Sequence, residues 1–118
     1  MSNPPDPSLD ALLELDGQVL VVDPAGGHWV RFTVTTVPVT LDKPHGIDYS
    51  LTLHGPDGER LVGYDNAHPV GRQRRGRPQD HRHRLRTVKP YEYRDAAGLL
   101  ADFWATVDTV LRERGVIR

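Results

Sequence analysis

Hydrophobic and polar residues alternate along two stretches of the chain, 29–37 and 47–53. A period of two is typical of a β-strand with one buried face, so both stretches are predicted strands. Shorter apolar runs predict one strand before this pair, at 18–22, and one after it, at 60–65. The positions predicted to face the core are Val30, Phe32, Ile47, Tyr49, Leu51 and Leu53.

Turn and helix signals complete the pattern. The run Gly55-Pro56-Asp57-Gly58 supplies preset or positive φ angles and predicts a hairpin turn between the third and fourth strands. After Asp95, a candidate N-cap, apolar residues recur at helical spacing as far as Leu111, and Gly115 can end that helix. The helix positions predicted to face the sheet are Leu100, Phe103 and Val107.

The two ends of the pattern are less regular. Residues 1–8 carry three prolines and predict an irregular tail, in which Ser8 is a candidate N-cap of a short helix. The segment 82–93 predicts an irregular edge strand interrupted by Pro90. The fold class is therefore α+β: one domain over 1–118, with an antiparallel meander of about four to five strands packed on a C-terminal helix.

Charge is distributed unevenly along the 118 residues. The formal net charge is −1, yet residues 68–94 carry nine basic and two acidic side chains, a local charge of +7. A localised positive field favours a polyanionic ligand, while a solvated basic loop is the alternative interpretation. The chain has no cysteine, which excludes disulfides, thiolate metal sites and a cysteine nucleophile. No 18-residue apolar run or basic-then-apolar leader occurs, so a cytoplasmic protein without a membrane segment is expected.

Candidate catalytic residues cluster beside this charge. Asp65 ends the fourth predicted strand and is followed by Asn66 and His68, and His81 and His83 lie at the end of a predicted basic loop over 67–83. In an extended segment His81 and His83 project from one face, and Arg82 and Arg84 project from the other. The candidate phosphate-binding residues are Arg72, Arg74, Arg75, Arg77, Arg82, Arg84 and Arg86.

These residue types fit RNA cleavage without a metal ion. One histidine can take a proton from the 2′-hydroxyl, a second can protonate the departing oxygen, and arginines can hold the phosphate. Asp65 with Asn66, or Asp80, could orient the histidines. Because the histidines lie outside the predicted core, replacing them should change stability only slightly.

Two alternatives remain open at this stage. His68, His81 and His83 with Asp65 or Asp80 could hold a divalent ion and form a metal-dependent nuclease, although the neighbouring arginines disfavour a cation and no cofactor is expected. The segment could instead be a non-catalytic module whose basic arm docks an acidic partner. His28 and His54, in or beside strands, are expected at the surface.

Several short motifs occur in a defined order along the chain. They are His45-Gly46-Ile47-Asp48-Tyr49-Ser50-Leu51, Tyr64-Asp65-Asn66 with His68, His81-x-His83, and the Phe103-Trp104 helix. Over about residues 15–115 this order resembles small toxins of the TumE type from bacterial toxin–antitoxin pairs. The resemblance implies a growth-inhibiting protein with a helix-turn-helix antitoxin as its partner, and it supplies no catalytic assignment. Together with the chemistry above, it predicts an RNA-directed ribonuclease toxin that binds nucleic acid, with a homodimer left open.

Overall fold

The computed structural model describes residues 6–66, 80–85 and 87–117, and these form an antiparallel sheet with two helices. The elements are α1 (Leu9–Glu14), β1 (Val19–Val21), β2 (Trp29–Thr36), β3 (Ile47–His54), β4 (Arg60–Asp65), β5 (His81–Arg84), β6 (Thr87–Pro90) and α2 (Ala96–Glu113). The strands follow one another in the sheet in chain order, each antiparallel to the next. The predicted α+β meander on a C-terminal helix is confirmed, with six strands instead of four to five.

The additional strand comes from the segment 82–93, which was predicted as one irregular edge strand. It forms a hairpin instead, with β5 and β6 paired and Leu85 between them at a φ of 52°. Leu85 and Val88 are exposed, so within the described part of the segment only Tyr91 and Tyr93 pack on or in the core. Because β5 begins at His81, the basic loop predicted over 67–83 ends before that residue, and its part 67–79 lies outside the described residues.

One face of the sheet packs on α2. Alternate residues of β2 and β3 are buried there, including all six positions predicted to face the core. Phe32 meets Phe103 edge-on, with ring centroids 5.9 Å apart, and Val107 is also buried. Leu100, predicted in the same interface, is only partly buried against this core. We call this side of the sheet the helix face and the other side the open face.

Three backbone N–H groups in the first turn of α2 have side-chain acceptors. The Asp95 carboxylate accepts from Gly98, as the predicted N-cap should. Asp6 accepts from the Ala96 N–H and the Ser8 hydroxyl from the Ala97 N–H. Ser8 precedes α1 as predicted, but it makes no side-chain cap there. Residues 6–8 of the predicted tail are thus held against α2, and 1–5 lie outside the described residues.

The turn between β1 and β2 contains a buried histidine. His28 is only 6% exposed, and its Nδ1 lies 2.6 Å from Asp23 Oδ2, so its expected surface position is wrong. Removal from solvent acts to raise the pKa of Asp23. Hydrogen bonds from the His28 ring and from the backbone of His28 and Gly26 outweigh it and lower the pKa. This pair fixes the turn that carries the edge strand β1.

Neither helix in the described part of the chain could cross a membrane.

Replacing Asp23 with asparagine should lower the free energy of unfolding at pH 7. A carboxylate whose pKa falls on folding contributes stability above its unfolded pKa of about 4, and this stability is lost as the pH falls through the folded pKa. The difference between the variant and the wild type should therefore shrink between pH 7 and pH 3. Urea unfolding at both pH values measures it, with Asp57→Asn in the exposed β3–β4 turn as the control. An equal loss at both pH values would contradict the ion-pair interpretation.

Candidate active site

Strand pairing brings together three of the residues singled out in the sequence. In the β4–β5 register Asp65 lies opposite His81, and Gly63 lies opposite His83. The Asp65 carboxylate is between the two rings: Oδ1 is 2.7 Å from His81 Nε2 and Oδ2 is 3.4 Å from His83 Nε2. The rings meet edge-on, with centroids 4.7 Å apart. We call this arrangement, on the open face of the sheet, the Asp65 cluster.

The members of the Asp65 cluster differ in access to solvent. His81 is 1% exposed and Asp65 is 8% exposed, whereas the His83 side chain retains 14% of its accessible surface. The expectation that both histidines lie outside the core is therefore wrong for His81. Truncating a fully buried ring leaves a cavity and removes a partner of a buried carboxylate, so His81→Ala should be markedly destabilising. His83 is the histidine that a ligand can approach.

The environment of His83 favours its neutral form. Burial, and then the positive charge of Arg60, lower the pKa of His83, while Asp65 acts in the opposite direction. A neutral imidazole can accept a proton or ligate a metal ion, and a protonated one can do neither.

Arg60 is a component of this site that the sequence analysis missed. Simple alternation from Val62 and Tyr64 would place it on the helix face, but a β-bulge near His54 shifts the register and pairs Arg60 with His54. Its side chain then lies over Gly63. A Cβ built on Gly63 would be 3.4 Å from Arg60 Cδ and 3.6 Å from His83 Cβ. The absent side chain at Gly63 leaves the space that Arg60 occupies beside His83.

The two described arginines of the predicted phosphate-binding set lie on the opposite face of the sheet from His81 and His83. Arg82 lies opposite Tyr64, and Arg84 opposite Val62, so both project from the helix face and away from the histidines. This confirms that arginines and histidines occupy opposite faces of the segment. It also means that Arg82 and Arg84 do not surround the Asp65 cluster. The remaining candidates lie outside the described residues: His68, Arg72, Arg74, Arg75, Arg77 and Arg86.

Asn66, predicted to orient the histidines together with Asp65, contacts β3. Its Oδ1 accepts a hydrogen bond from the Tyr49 N–H, and its Nδ2 donates to the Ile47 carbonyl, both at 2.9 Å. The side chain is 2% exposed. Asn66 thus continues the hydrogen bonding of β3 beyond the end of β4, directly after Asp65.

Asp80 lies on the helix face, next to His81 in the chain. Its Oδ2 accepts a hydrogen bond of 2.6 Å from the Tyr49 hydroxyl, and burial raises the pKa of the carboxyl despite that bond. Burial, followed by the charge of Asp80, also raises the pKa of Tyr49. Of the two carboxylates considered as partners for the histidines, Asp65 lies against both rings, and Asp80 accepts a hydrogen bond from Tyr49.

The Asp65 cluster also has the donor set of a metal site. One ligand atom from each of Asp65, His81 and His83 can be chosen so that all three lie within 4.8 Å of one another. Two imidazoles and one carboxylate suit zinc, manganese or iron(II). Asp80 is not part of this group, and His68, the fourth ligand considered from the sequence, lies outside the described residues.

Comparison with protein families supports the motif order found in the sequence. The family model described as "Toxin TumE" matches residues 15–111, which is most of the chain. The chain belongs to the TumE toxin family. As a TumE-family protein it is a toxin of a toxin–antitoxin system, and its partner is an antitoxin. No curated protein and no solved structure matches the chain. The match spans all of the described Asp65 cluster.

Proposed function

We propose that this TumE-family toxin inhibits growth by cleaving RNA in the cytoplasm, with the Asp65 cluster as its reacting centre. The observation that supports the proposal is the position of one carboxylate between two histidines, at 2.7 and 3.4 Å. A carboxylate that accepts a hydrogen bond from a histidine fixes the ring and stabilises its protonated form during proton transfer.

His83 is the general base in this scheme, because it is the more accessible histidine and its pKa is lowered. It takes the proton of a ribose 2′-hydroxyl as that oxygen attacks the adjacent phosphorus. The bond from phosphorus to the 5′-oxygen breaks, and a protonated group donates a proton to the departing oxygen. His68 is the candidate for that donor, while buried His81 holds Asp65 from the other side.

Arg60 supplies the positive charge at the phosphate. It lies beside His83 on the open face, where Arg82 and Arg84 do not reach. A guanidinium can form two parallel hydrogen bonds to phosphate oxygens and stabilise the charge that develops in the transition state. Arg72, Arg74, Arg75 and Arg77 would extend this contact along the RNA without reading its bases.

The purified toxin should cleave single-stranded RNA in the presence of EDTA and leave single-stranded DNA of the same sequence intact. DNA lacks the 2′-hydroxyl nucleophile, and the RNA fragments should therefore end in 2′,3′-cyclic phosphates. Gel electrophoresis of end-labelled strands measures both results. Cleavage of DNA would contradict the mechanism. Growth inhibition by a toxin that cleaves neither strand would favour the non-catalytic docking module.

A metal-dependent nuclease is the second candidate function, supported by the three ligand atoms within 4.8 Å. In the sequence, the neighbouring arginines disfavoured a bound cation. Arg82 and Arg84 lie on the opposite face of the sheet, so their repulsion of a cation at this site is weaker than the sequence indicated. A divalent ion held by Asp65, His81 and His83 would polarise a phosphate or activate water. In that case EDTA should abolish cleavage, and Zn²⁺ or Mn²⁺ should restore it.

The antitoxin is proposed to be a helix-turn-helix protein encoded beside the toxin gene. The motif order that the chain shares with TumE-type toxins supports this form of partner. A neighbouring small gene with that fold, whose product forms a complex with the toxin and restores growth, is the expected finding.

A further inference from the structure

A second polar site lies on the helix face of the sheet and shares one lining residue, His83, with the Asp65 cluster. A cleft of about 350 Å³ opens between α2 and the strands β4 to β6. Tyr64 contributes to its lining from the sheet, Thr106 and Thr109 line it from α2, and Arg82, Arg84 and Lys89 line it from the β5–β6 hairpin. The family match and the proposed ribonuclease mechanism give this cleft no role.

The cleft follows from side-chain size on the two elements that face each other. The α2 residues that line it are small, namely Ala105, Thr106 and Thr109. The bulky Phe103 lies in the core against Phe32 and Tyr64. Opposite the small α2 residues, alternation along β5 presents Arg82 and Arg84 to the helix. Long charged side chains keep their ends in water and do not fill an apolar interface, so the hairpin and the helix leave a space between them.

The charges in the cleft are only partly neutralised. Arg84 pairs with Glu113 of α2. Arg82 and Lys89 lie directly opposite each other on β5 and β6, and among the described residues neither forms an ion pair with a carboxylate. Like charges in a cross-strand pair are destabilising. An anion placed between them would remove this repulsion and gain two charge-assisted hydrogen-bonding partners.

We propose that this cleft binds a phosphate group carried by a nucleotide or by an RNA strand. The Arg82 guanidinium matches the geometry of two phosphate oxygens, and Lys89 adds a compact charge beside it. The volume lies within the range of small-molecule pockets, which suits one nucleotide. His83 also lines the cleft, but its ring contacts Asp65 on the open face, whereas Arg82 and Lys89 project from the helix face. The phosphate held between Arg82 and Lys89 is therefore a different one from the phosphate that is cleaved.

Calorimetric titration at low salt tests the site with three probes: adenosine monophosphate, adenosine and inorganic phosphate. The monophosphate should bind and adenosine should not, because the recognised group is the phosphate. The double variant Arg82→Gln/Lys89→Gln should bind the monophosphate at least about tenfold more weakly, since each lost charge-assisted bond is worth roughly that factor. The control Arg31→Gln/Arg94→Gln makes the same charge change at exposed positions elsewhere and should bind normally.

A short RNA strand, titrated in parallel, identifies the source of the phosphate. If the strand binds much more tightly than the monophosphate and loses that advantage in the Arg82/Lys89 variant, the cleft holds the RNA backbone. If both bind equally, it holds a free nucleotide. Absence of binding by all phosphate-bearing probes, or equal losses in the variant and its control, would overturn the proposal. Asp65→Asn should retain monophosphate binding, so failure of the cleavage mechanism is distinguishable from failure of this site.

Discussion

Replacing Asp65 with asparagine should lower the RNA cleavage rate by roughly three orders of magnitude and abolish growth inhibition. The neutral amide cannot stabilise a protonated His83, and its NH₂ group favours the wrong tautomer of the ring. An equivalent change in the serine protease triad lowers turnover about 10⁴-fold. The variant keeps the size of the side chain, so its fold should be preserved. Single-turnover cleavage assays and growth after induced expression measure the two effects.

Asp48→Asn is the matched control for this experiment. Asp48 is a half-buried carboxylate on the same open face, and its cross-strand partner is Thr35, away from the histidines. It should cleave RNA and inhibit growth like the wild type. A soluble, folded Asp65→Asn protein with undiminished cleavage would eliminate the Asp65 cluster as the reacting centre. Growth inhibition that survives the loss of cleavage would instead indicate that the toxin acts by binding.

The meander could be predicted because its signals are local. Alternation in β2 and β3 identified the six core positions, and the Gly55–Gly58 turn joined β3 to β4. The helical spacing after Asp95 located α2, and Gly115 ends it at a φ of 72°. Each of these features depends on residues within a few positions of one another, where backbone sterics and side-chain period decide the outcome.

The candidate site could be predicted only in part, because it depends on contacts between distant segments. Residue types and clustering indicated Asp65, His81 and His83, but only the β4–β5 register shows that one carboxylate contacts both rings. Arg60 was missed because a bulge reverses the face on which it would otherwise lie. The burial of His81 was missed because the polar composition of its segment predicts a surface position. The pairing of β5 with β4, which places His81 opposite Asp65, cannot be predicted from composition.

The structure also changes the interpretation of the basic segment 68–94. Its charge appeared in the sequence as one cluster of arginines around the histidines. In the described part of that segment, Arg82 and Arg84 face α2 and the histidines face the other way. An arginine next to a candidate histidine in the sequence can therefore lie far from its ring in space, since neighbours on a strand point to opposite faces.

The second large effect should come from Asn66→Ala, which we expect to lower the free energy of unfolding by about 3 kcal/mol. The change removes the partners of two backbone groups on β3, the Tyr49 N–H and the Ile47 carbonyl. Leaving a buried polar group without a partner costs about 1–3 kcal/mol, and alanine cannot replace either bond. Urea unfolding of the variant and the wild type measures the difference.

The same variant separates a structural role of Asn66 from a catalytic one. If Asn66 acts through β3, the fraction of Asn66→Ala molecules that remain folded at low temperature should cleave RNA at close to the wild-type rate. Asn66→Asp keeps an acceptor for the Tyr49 N–H but faces the Ile47 carbonyl with a second acceptor, so it should also be destabilised. Thr35→Ala, at an exposed position on β2, should be nearly neutral in stability. If Asn66→Ala is as stable as the wild type but cleaves RNA a hundredfold more slowly, Asn66 instead orients the histidines.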